Sequence, residues 1–194
     1  MKIGVLALQG DFIEHICMFD KLGAQAVEVR LPDELKGLDG LVIPGGESTT
    51  IMKLLHVFDL VKPIKRLAAR RPVWGTCAGM ICLARDARNP DDTGMETLGL
   101  MDITVRRNAF GRQVDSFEAR LEVPALRDGP FTGVFIRAPY IEKAGKKVEI
   151  LCRLPDGEIV AARQDNLLAI SFHPELTDDA RFHRYFLDMA GKAP

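Results

Sequence analysis

Three short segments contain residues whose types and spacing could carry out acyl-transfer chemistry. The first is Gly75-Thr76-Cys77-Ala78-Gly79, a G-x-C-x-G pattern between the apolar run Pro72-Val73-Trp74 and a helix-forming stretch. A sharp strand-to-helix turn would lift the Cys77 side chain out of the backbone, and flanking glycines avoid the clashes such a turn creates. At a helix N-terminus, free N–H groups and the helix dipole favour a thiolate. Taken alone, the pattern also fits a buried cysteine in a glycine-rich turn. The second segment is His173-Pro174-Glu175. Proline pushes the preceding residue toward extended backbone, so His173 should project from a strand end. Residues two apart in extended chain share a side, so Glu175 can hold one imidazole nitrogen while the other faces Cys77. Nucleophile, base and orienting carboxylate would then form a triad. His15, His56 and His183 fall within expected helices, where packing or solvation accounts for them. The third segment, Pro44-Gly45-Gly46-Glu47-Ser48-Thr49-Thr50, offers backbone N–H groups to an oxyanion or carboxylate. It lacks the Lys-Ser/Thr pair of a phosphate loop, and no G-x-G-x-x-G occurs.

The elements that must position these segments follow from apolar periodicity. Lys2–Leu8, Ala26–Leu31, Leu41–Ile43 and Pro72–Trp74 read as buried strands. Between them, a helix follows Asp11, with Phe12, Ile16, Phe19 and Leu22 on one face and Gly23 at its end. Thr49–Val57, Leu60–Arg70 and Ala78–Arg85 are further helices. This alternation predicts parallel strands with helical crossovers. Arg85–Glu96 is polar and reads as an exposed loop. Beyond Gly99 the chain is strand-rich, at Ile103–Val105, Phe117–Val123 and Gly133–Arg137. Val148–Leu154 and Ile159–Arg163 flank Pro155-Asp156-Gly157 as a hairpin. Leu168–Phe172 is a last strand, and Asp178–Met189 a last helix capped by Thr177. Both reactive segments fall at C-terminal strand ends, where open α/β sheets place their sites.

Composition limits the alternatives. The 194 residues suit one domain, residues 1–194, and the 26 basic against 27 acidic side chains form no basic run for nucleic acid or an anionic membrane. The apolar start is too short for a signal peptide or a membrane span. Cys17, Cys77, Cys82 and Cys152 show no C-x-x-C spacing, so neither a disulfide framework nor a structural zinc site is expected, and a cytoplasmic location fits. Cys17, Cys82 and Cys152 read as packing residues.

Cys77 in Gly-Thr-Cys-Ala-Gly with a C-terminal His173-Pro174-Glu175 resembles the class I glutamine amidotransferase triad. Leu8-Gln9-Gly10, the Pro44–Thr50 segment, Arg107–Glu118 and Gly133–Pro139 resemble, within that class, the glutaminase subunits of pyridoxal 5'-phosphate synthase (the PdxT/SNO family). The resemblance runs from residue 3 to about residue 187. It implies a three-layer, flavodoxin-like α/β fold with a mostly parallel central sheet and an antiparallel extension. It implies hydrolysis of L-glutamine to L-glutamate and ammonia through Cys77, His173 and Glu175, with no cofactor and no metal. Gly46, Glu47, Ser48, Arg107, Ile136 and Arg137 would hold glutamine, and N–H groups near Gly46 and Ala78 would form the oxyanion hole. The ammonia would pass to a pyridoxal 5'-phosphate synthase subunit in a hetero-oligomer that activates the glutaminase, with Leu8-Gln9-Gly10 as an expected contact. A glutaminase serving a histidine or anthranilate pathway shares the same chemistry and differs in its partner. A cysteine peptidase or chaperone-like hydrolase on a similar sheet, and a non-catalytic scaffold or binding module, are further readings. The intact Cys77, His173 and Glu175 set argues against the scaffold.

Overall fold

In the computed structural model, residues 1–89, 91, 93–107 and 116–192 are described. The first half alternates as its apolar periodicity predicts: β1 (Lys2–Leu6), α1 (Phe12–Lys21), β2 (Gln25–Val29), β3 (Gly40–Ile43), α2 (Ser48–Val57), α3 (Val61–Ala68), β4 (Val73–Thr76) and α4 (Ala78–Leu83). Strands β2, β1, β3 and β4 lie side by side in parallel, and β13 (Leu167–Ile170) joins parallel to β4. Among the described residues, eleven strands make this one sheet. Beyond β13 it continues through antiparallel partners: β12 (Ile159–Gln164), β10 (Tyr140–Ala144) and β7 (Met101–Arg106), with β11 (Glu149–Arg153) also on β12. The β11–β12 hairpin has the expected antiparallel pairing across Pro155-Asp156-Gly157.

Period-two alternation along the central strands sends side chains to two separate cores. From β3, Leu41 and Ile43 face the layer of α2, α3 and α4, while Val42 faces the opposite layer. In β4, Val73 and Trp74 divide the same way, and in β13, Leu167 and Ala169 oppose Leu168 and Ile170. The second layer consists of α1, α5 (Arg181–Lys192) and a separate two-stranded sheet, β8 (Ser116–Leu121) with β9 (Phe131–Ile136). Helices cover one face and helices with a hairpin cover the other, giving the expected three layers.

Several expectations need correction. The stretch Arg85–Glu96 is not simply an exposed loop. Ala84–Arg88 forms β5, parallel to β7, and Gly94–Met95 forms β6 against it. Ala84 and Ala87 are fully buried, and two small side chains among charged ones gave no apolar signal. Accordingly α4 ends at Leu83. Strand β10 escaped notice because it begins beside Pro139 and carries Glu142 and Lys143. The β8–β9 pair forms its own sheet instead of extending the central one. The last helix begins at Arg181, whose N–H donates to Asp179 Oδ1, while Thr177 Oγ1 instead accepts from the Asp179 N–H.

Candidate active site

Cys77 occupies a sharp corner of the fold. It ends β4 and starts α4 with φ 47° and ψ −104°, a conformation that L-residues rarely hold. Its N–H donates to the Ile170 carbonyl, which fastens the corner to β13. The flanking glycines have steric causes. A Cβ on Gly79 would lie 1.9 Å from the Ile43 carbonyl oxygen, and one on Gly75 would lie 2.4 Å from the Gly79 backbone. The helix therefore approaches β3 and β4 more closely than any side chain permits. The expected strained strand-to-helix turn is present, with Ala78 as the first residue of α4. The first N–H groups of such a helix have no intrahelical acceptor.

His173 follows β13 by three residues, and its own N–H donates to the Val134 carbonyl of β9. Its backbone, φ −109° and ψ 85°, is extended as its proline neighbour requires. Glu175, by contrast, lies in a single 3-10 turn, Pro174–Leu176, and not in extended chain. The turn still returns its carboxylate to the imidazole: Glu175 Oε1 accepts from His173 Nδ1 at 2.7 Å. Cys77 lies close enough to the ring to raise its hold on a proton, while its Sγ contacts the Ile136 carbonyl at 4.0 Å. Asp11 Oδ2 lies 3.5 Å from His173 Nδ1, and packing over Gly45 brings the ring so close that a Cβ there would meet its Cε1 at 2.4 Å.

Burial opposes charge on this imidazole, but Cys77 and Glu175 beside it outweigh that effect and raise His173 to about 10. Burial pushes the Glu175 carboxyl upward against the lowering effect of His173. Burial likewise raises Asp11. The stronger tendency is an imidazolium on His173, because the Glu175 carboxylate meets its Nδ1 directly at 2.7 Å.

The glycine-rich segment leaves β3 and abuts the Gln9-Gly10 turn. Gly46 has φ 153°, and a Cβ on it would meet Gln9 Oε1 at 2.4 Å. That same oxygen accepts from the Glu47 N–H at 2.6 Å. Glu47 is the N-cap of α2: its carboxylate accepts from the N–H groups of Thr49 (3.0 Å) and Thr50 (2.6 Å) and from Thr50 Oγ1 (2.7 Å). Although burial opposes it, these donors hold its acidity at about 2. Sequence reasoning assigned Glu47 to ligand contact and did not foresee this cap. Arg107 donates to Asn89 Oδ1 at 2.6 Å and approaches Glu47 Oε1 at 3.3 Å. Ser48 is buried in the first turn of α2, and its hydroxyl donates to Met95 Sδ at 3.6 Å. Ile136 presents its carbonyl 4.0 Å from Cys77 Sγ, and Arg137, exposed beside it, has φ 43°. Of the ten expected site residues, Gly46, Glu47, Ser48, Cys77, Ala78, His173 and Glu175 follow the C-terminal ends of β3, β4 and β13, and Arg107, Ile136 and Arg137 come from the ends of β7 and β9. The 108–115 part of the Arg107–Glu118 stretch lies outside the described residues.

Two residues were not anticipated. His15 and His183 are completely buried. His15 reaches from α1 to 3.4 Å from Glu175 Oε2, and its Nδ1 lies 3.0 Å from His183 Nε2. The available signal was their position: His15 shares the apolar stripe of α1 with Phe12 and Phe19, and a buried imidazole requires polar partners. Of the cysteines read as packing residues, Cys82 and Cys152 are buried and Cys17 is exposed. Among the described residues, no helix is long and apolar enough to cross a membrane.

Known proteins share this architecture and sequence. A protein of Dehalococcoides mccartyi named pyridoxal 5'-phosphate synthase subunit PdxT is 67% identical over 191 residues, 98% of this chain and 97% of that protein. The Herpetosiphon aurantiacus protein of the same name is 60% identical over 190 residues, 97% of this chain and all of its own length. A solved glutamine amidotransferase structure superimposes with a TM-score of 0.90 at 49% identity, covering 97% of this chain and 98% of that one. Thermotoga maritima PurLQS shares the fold, with a TM-score of 0.70 at 15% identity over 96% of this chain and 97% of that one. The model of the SNO glutamine amidotransferase family matches residues 5–192, and this chain belongs to that family.

Proposed function

We propose that the chain, acting as one domain over residues 1–194, hydrolyses L-glutamine to L-glutamate and ammonia. The ammonia passes to a pyridoxal 5'-phosphate synthase subunit for vitamin B6 biosynthesis. One observation carries the reading: a cysteine held at φ 47° in a strand-to-helix corner lies beside an imidazole whose Nδ1 donates to a buried carboxylate 2.7 Å away. With the thiol proton held on His173 as an imidazolium, the Cys77 sulfur attacks the glutamine side-chain amide carbon. The carbonyl electrons move onto oxygen, stabilised by N–H groups near Gly46 and Ala78. Each such donor contributes about 3–4 kcal/mol in comparable sites. The intermediate collapses as the imidazolium protonates the leaving nitrogen, releasing ammonia and leaving a glutamyl thioester. Water, deprotonated by His173, then cleaves the thioester to glutamate and restores the thiol.

Glutamine's α-carboxylate and α-ammonium need a cation or backbone donors on one side and an acceptor on the other. Arg107 and Arg137 supply the first. Glu47, kept anionic by its cap, supplies the second, and Gly46, Ser48 and Ile136 complete the walls. The relatives named PdxT support a synthase partner, since their name describes a subunit. Free cysteines support a reducing cytoplasm.

The test is glutamate release with and without a purified pyridoxal 5'-phosphate synthase subunit. Marked stimulation by the partner is expected, and its complete loss in Cys77→Ala. Wild-type turnover in Cys77→Ala would eliminate the thioester mechanism. Equal rates for the free chain and the mixture would eliminate activation by the partner.

A further inference from the structure

Behind Glu175 a line of buried polar groups continues away from the reacting sulfur. Glu175 Oε1 accepts from His173, but Oε2 is sealed from solvent and makes no hydrogen bond of its own. His15 Nε2 lies 3.4 Å from that oxygen and 3.2 Å from Thr76 Oγ1, the residue before Cys77. On the far side, His15 Nδ1 and His183 Nε2 are 3.0 Å apart, and His183 Nδ1 has no partner. The indole ring of Trp74 packs edge-on against both imidazoles and Phe19 against His183, with Phe186 behind Trp74.

We propose that His15 is a positioning residue for the reaction: its Nε2–H faces Glu175 Oε2, holding that carboxylate ionised and aligned on His173, while His183 fixes the tautomer. This rests on the assignment of Cys77, His173 and Glu175 as the hydrolytic centre. The tautomers follow from counting donors. Burial holds both imidazoles neutral, lowering His15 well below its usual range and His183 to about 3. Each ring therefore has one N–H. If His15 were protonated at Nδ1, His183 Nε2 would have to accept, and the only N–H of His183 would be buried at Nδ1 with no acceptor. A lone pair of His15 would then also face the lone pairs of Glu175 Oε2. With both protons on Nε2, His183 donates to His15, and the His15 Nε2–H sits 3.2 Å from Thr76 Oγ1, its hydrogen-bond acceptor, and 3.4 Å from Glu175 Oε2. The leftover atom is an imidazole lone pair, which costs less than a stranded donor or a buried charge. Both imidazole protons then point from α5 through α1 toward the carboxylate, which His173 meets with its own N–H from the other side.

The other ionisable groups facing this line are Asp11 and Glu14 at the start of α1, and Cys77 beyond His173. Asp11 is half-exposed and contacts the imidazole of His173, so it cannot supply the donor that Oε2 lacks. Without His15, the buried Glu175 Oε2 would lose the imidazole that lies 3.4 Å from it. Its negative charge would cost more, the imidazolium would lose support, and the Cys77 thiolate would form at higher pH.

The experiment needs no glutamine turnover. In the full chain labelled with 15N-histidine, imidazole nitrogen shifts should report a proton on Nε2 and none on Nδ1 for both His15 and His183. Alkylation of Cys77 by iodoacetamide, followed against pH by peptide mapping, should shift its midpoint upward by about one pH unit in His15→Leu. His15→Gln, whose amide nitrogen can replace the donor, should return the midpoint most of the way. An Nδ1–H tautomer at His15, or a His15→Leu profile identical to wild type, would overturn the proposal. Should His15→Leu fail to fold, the tautomer in the unmodified chain decides by itself. A failed glutamine assay with the expected tautomers and alkylation shift would sink the proposed substrate instead, leaving the positioning role intact.

Discussion

At the scale of single residues, the site depends on backbone positions that only glycine can fill. Gly79 lies at ordinary φ, so its requirement is spatial: the Ile43 carbonyl oxygen occupies the place of a Cβ. Because that neighbour is backbone, it cannot swing aside as a side chain could. Gly79→Ala should therefore push α4 away from β3 and cost about 1–3 kcal/mol. It should reduce glutamate release far more than stability, since Cys77 begins the displaced helix. Urea unfolding together with glutamate release checks this, and a variant with normal turnover would show that the corner tolerates movement. The glycines, Cys77, His173 and Glu175 were readable because each has a local cause visible in neighbouring residue types. The cap formed by Glu47 and the buried pair His15 and His183 were not. A carboxylate before a helix fits ligand contact as well as capping, and helical spacing alone cannot tell a packed imidazole from a connected one.

At the scale of elements, the β8–β9 sheet holds one wall of the site in place. Phe131 and Phe135 are fully buried, and Phe131 packs at 4.9 Å, edge to face, against Phe182 of α5 and at 5.7 Å against Phe172 beside His173. Arg181 reinforces the joint by donating to the carbonyls of Arg127, Gly129 and Pro130. Since β9 carries the Val134 carbonyl that anchors His173 and the Ile136 carbonyl near Cys77, hairpin packing and site geometry are linked. Phe131→Ala should cost about 3–5 kcal/mol by urea unfolding. It should also lower turnover without abolishing it, because the triad residues remain. A destabilised variant with unchanged turnover would show that the wall does not depend on the hairpin core. The parallel strands and their helices were legible from apolar runs that recur at strand and helix spacing. Strands β5 and β10 were hidden because they are only half-buried and carry Arg, Asp, Glu and Lys, whose pattern resembles a loop. The separation of β8–β9 into its own sheet depends on long-range packing of aromatic rings, which no local window contains.

At the scale of the whole molecule, the buried histidines and cysteines set how stability varies with pH. Stability rises with pH wherever the unfolded chain binds more protons than the folded one. His15 and His183 are neutral when folded, their ordinary value is 6.5, and the folded value for His183 is about 3. Below 6.5 the unfolded chain therefore takes up protons that the folded chain refuses, and stability falls as pH falls. His173 behaves oppositely. Its folded value is about 10, so its contribution is fully present below 6.5 and is lost as pH rises toward 10. Cys82 and Cys152, raised by burial to about 12 and about 11, add to the alkaline loss above their ordinary value of 9.0. The expected curve is a dome with its maximum near pH 6.5. Glu175 and Asp11, raised by burial, gain protons in the folded state toward acid and soften that limb without reversing it near pH 6. Urea midpoints between pH 5 and 9 check the shape. In His183→Gln, one refusing group is gone, so the acid limb should become shallower by up to about 1.4 kcal/mol per pH unit. An acid limb as steep as wild type would mean that His183 is protonated inside the fold, and the arrangement of imidazole protons behind Glu175 would fall with it.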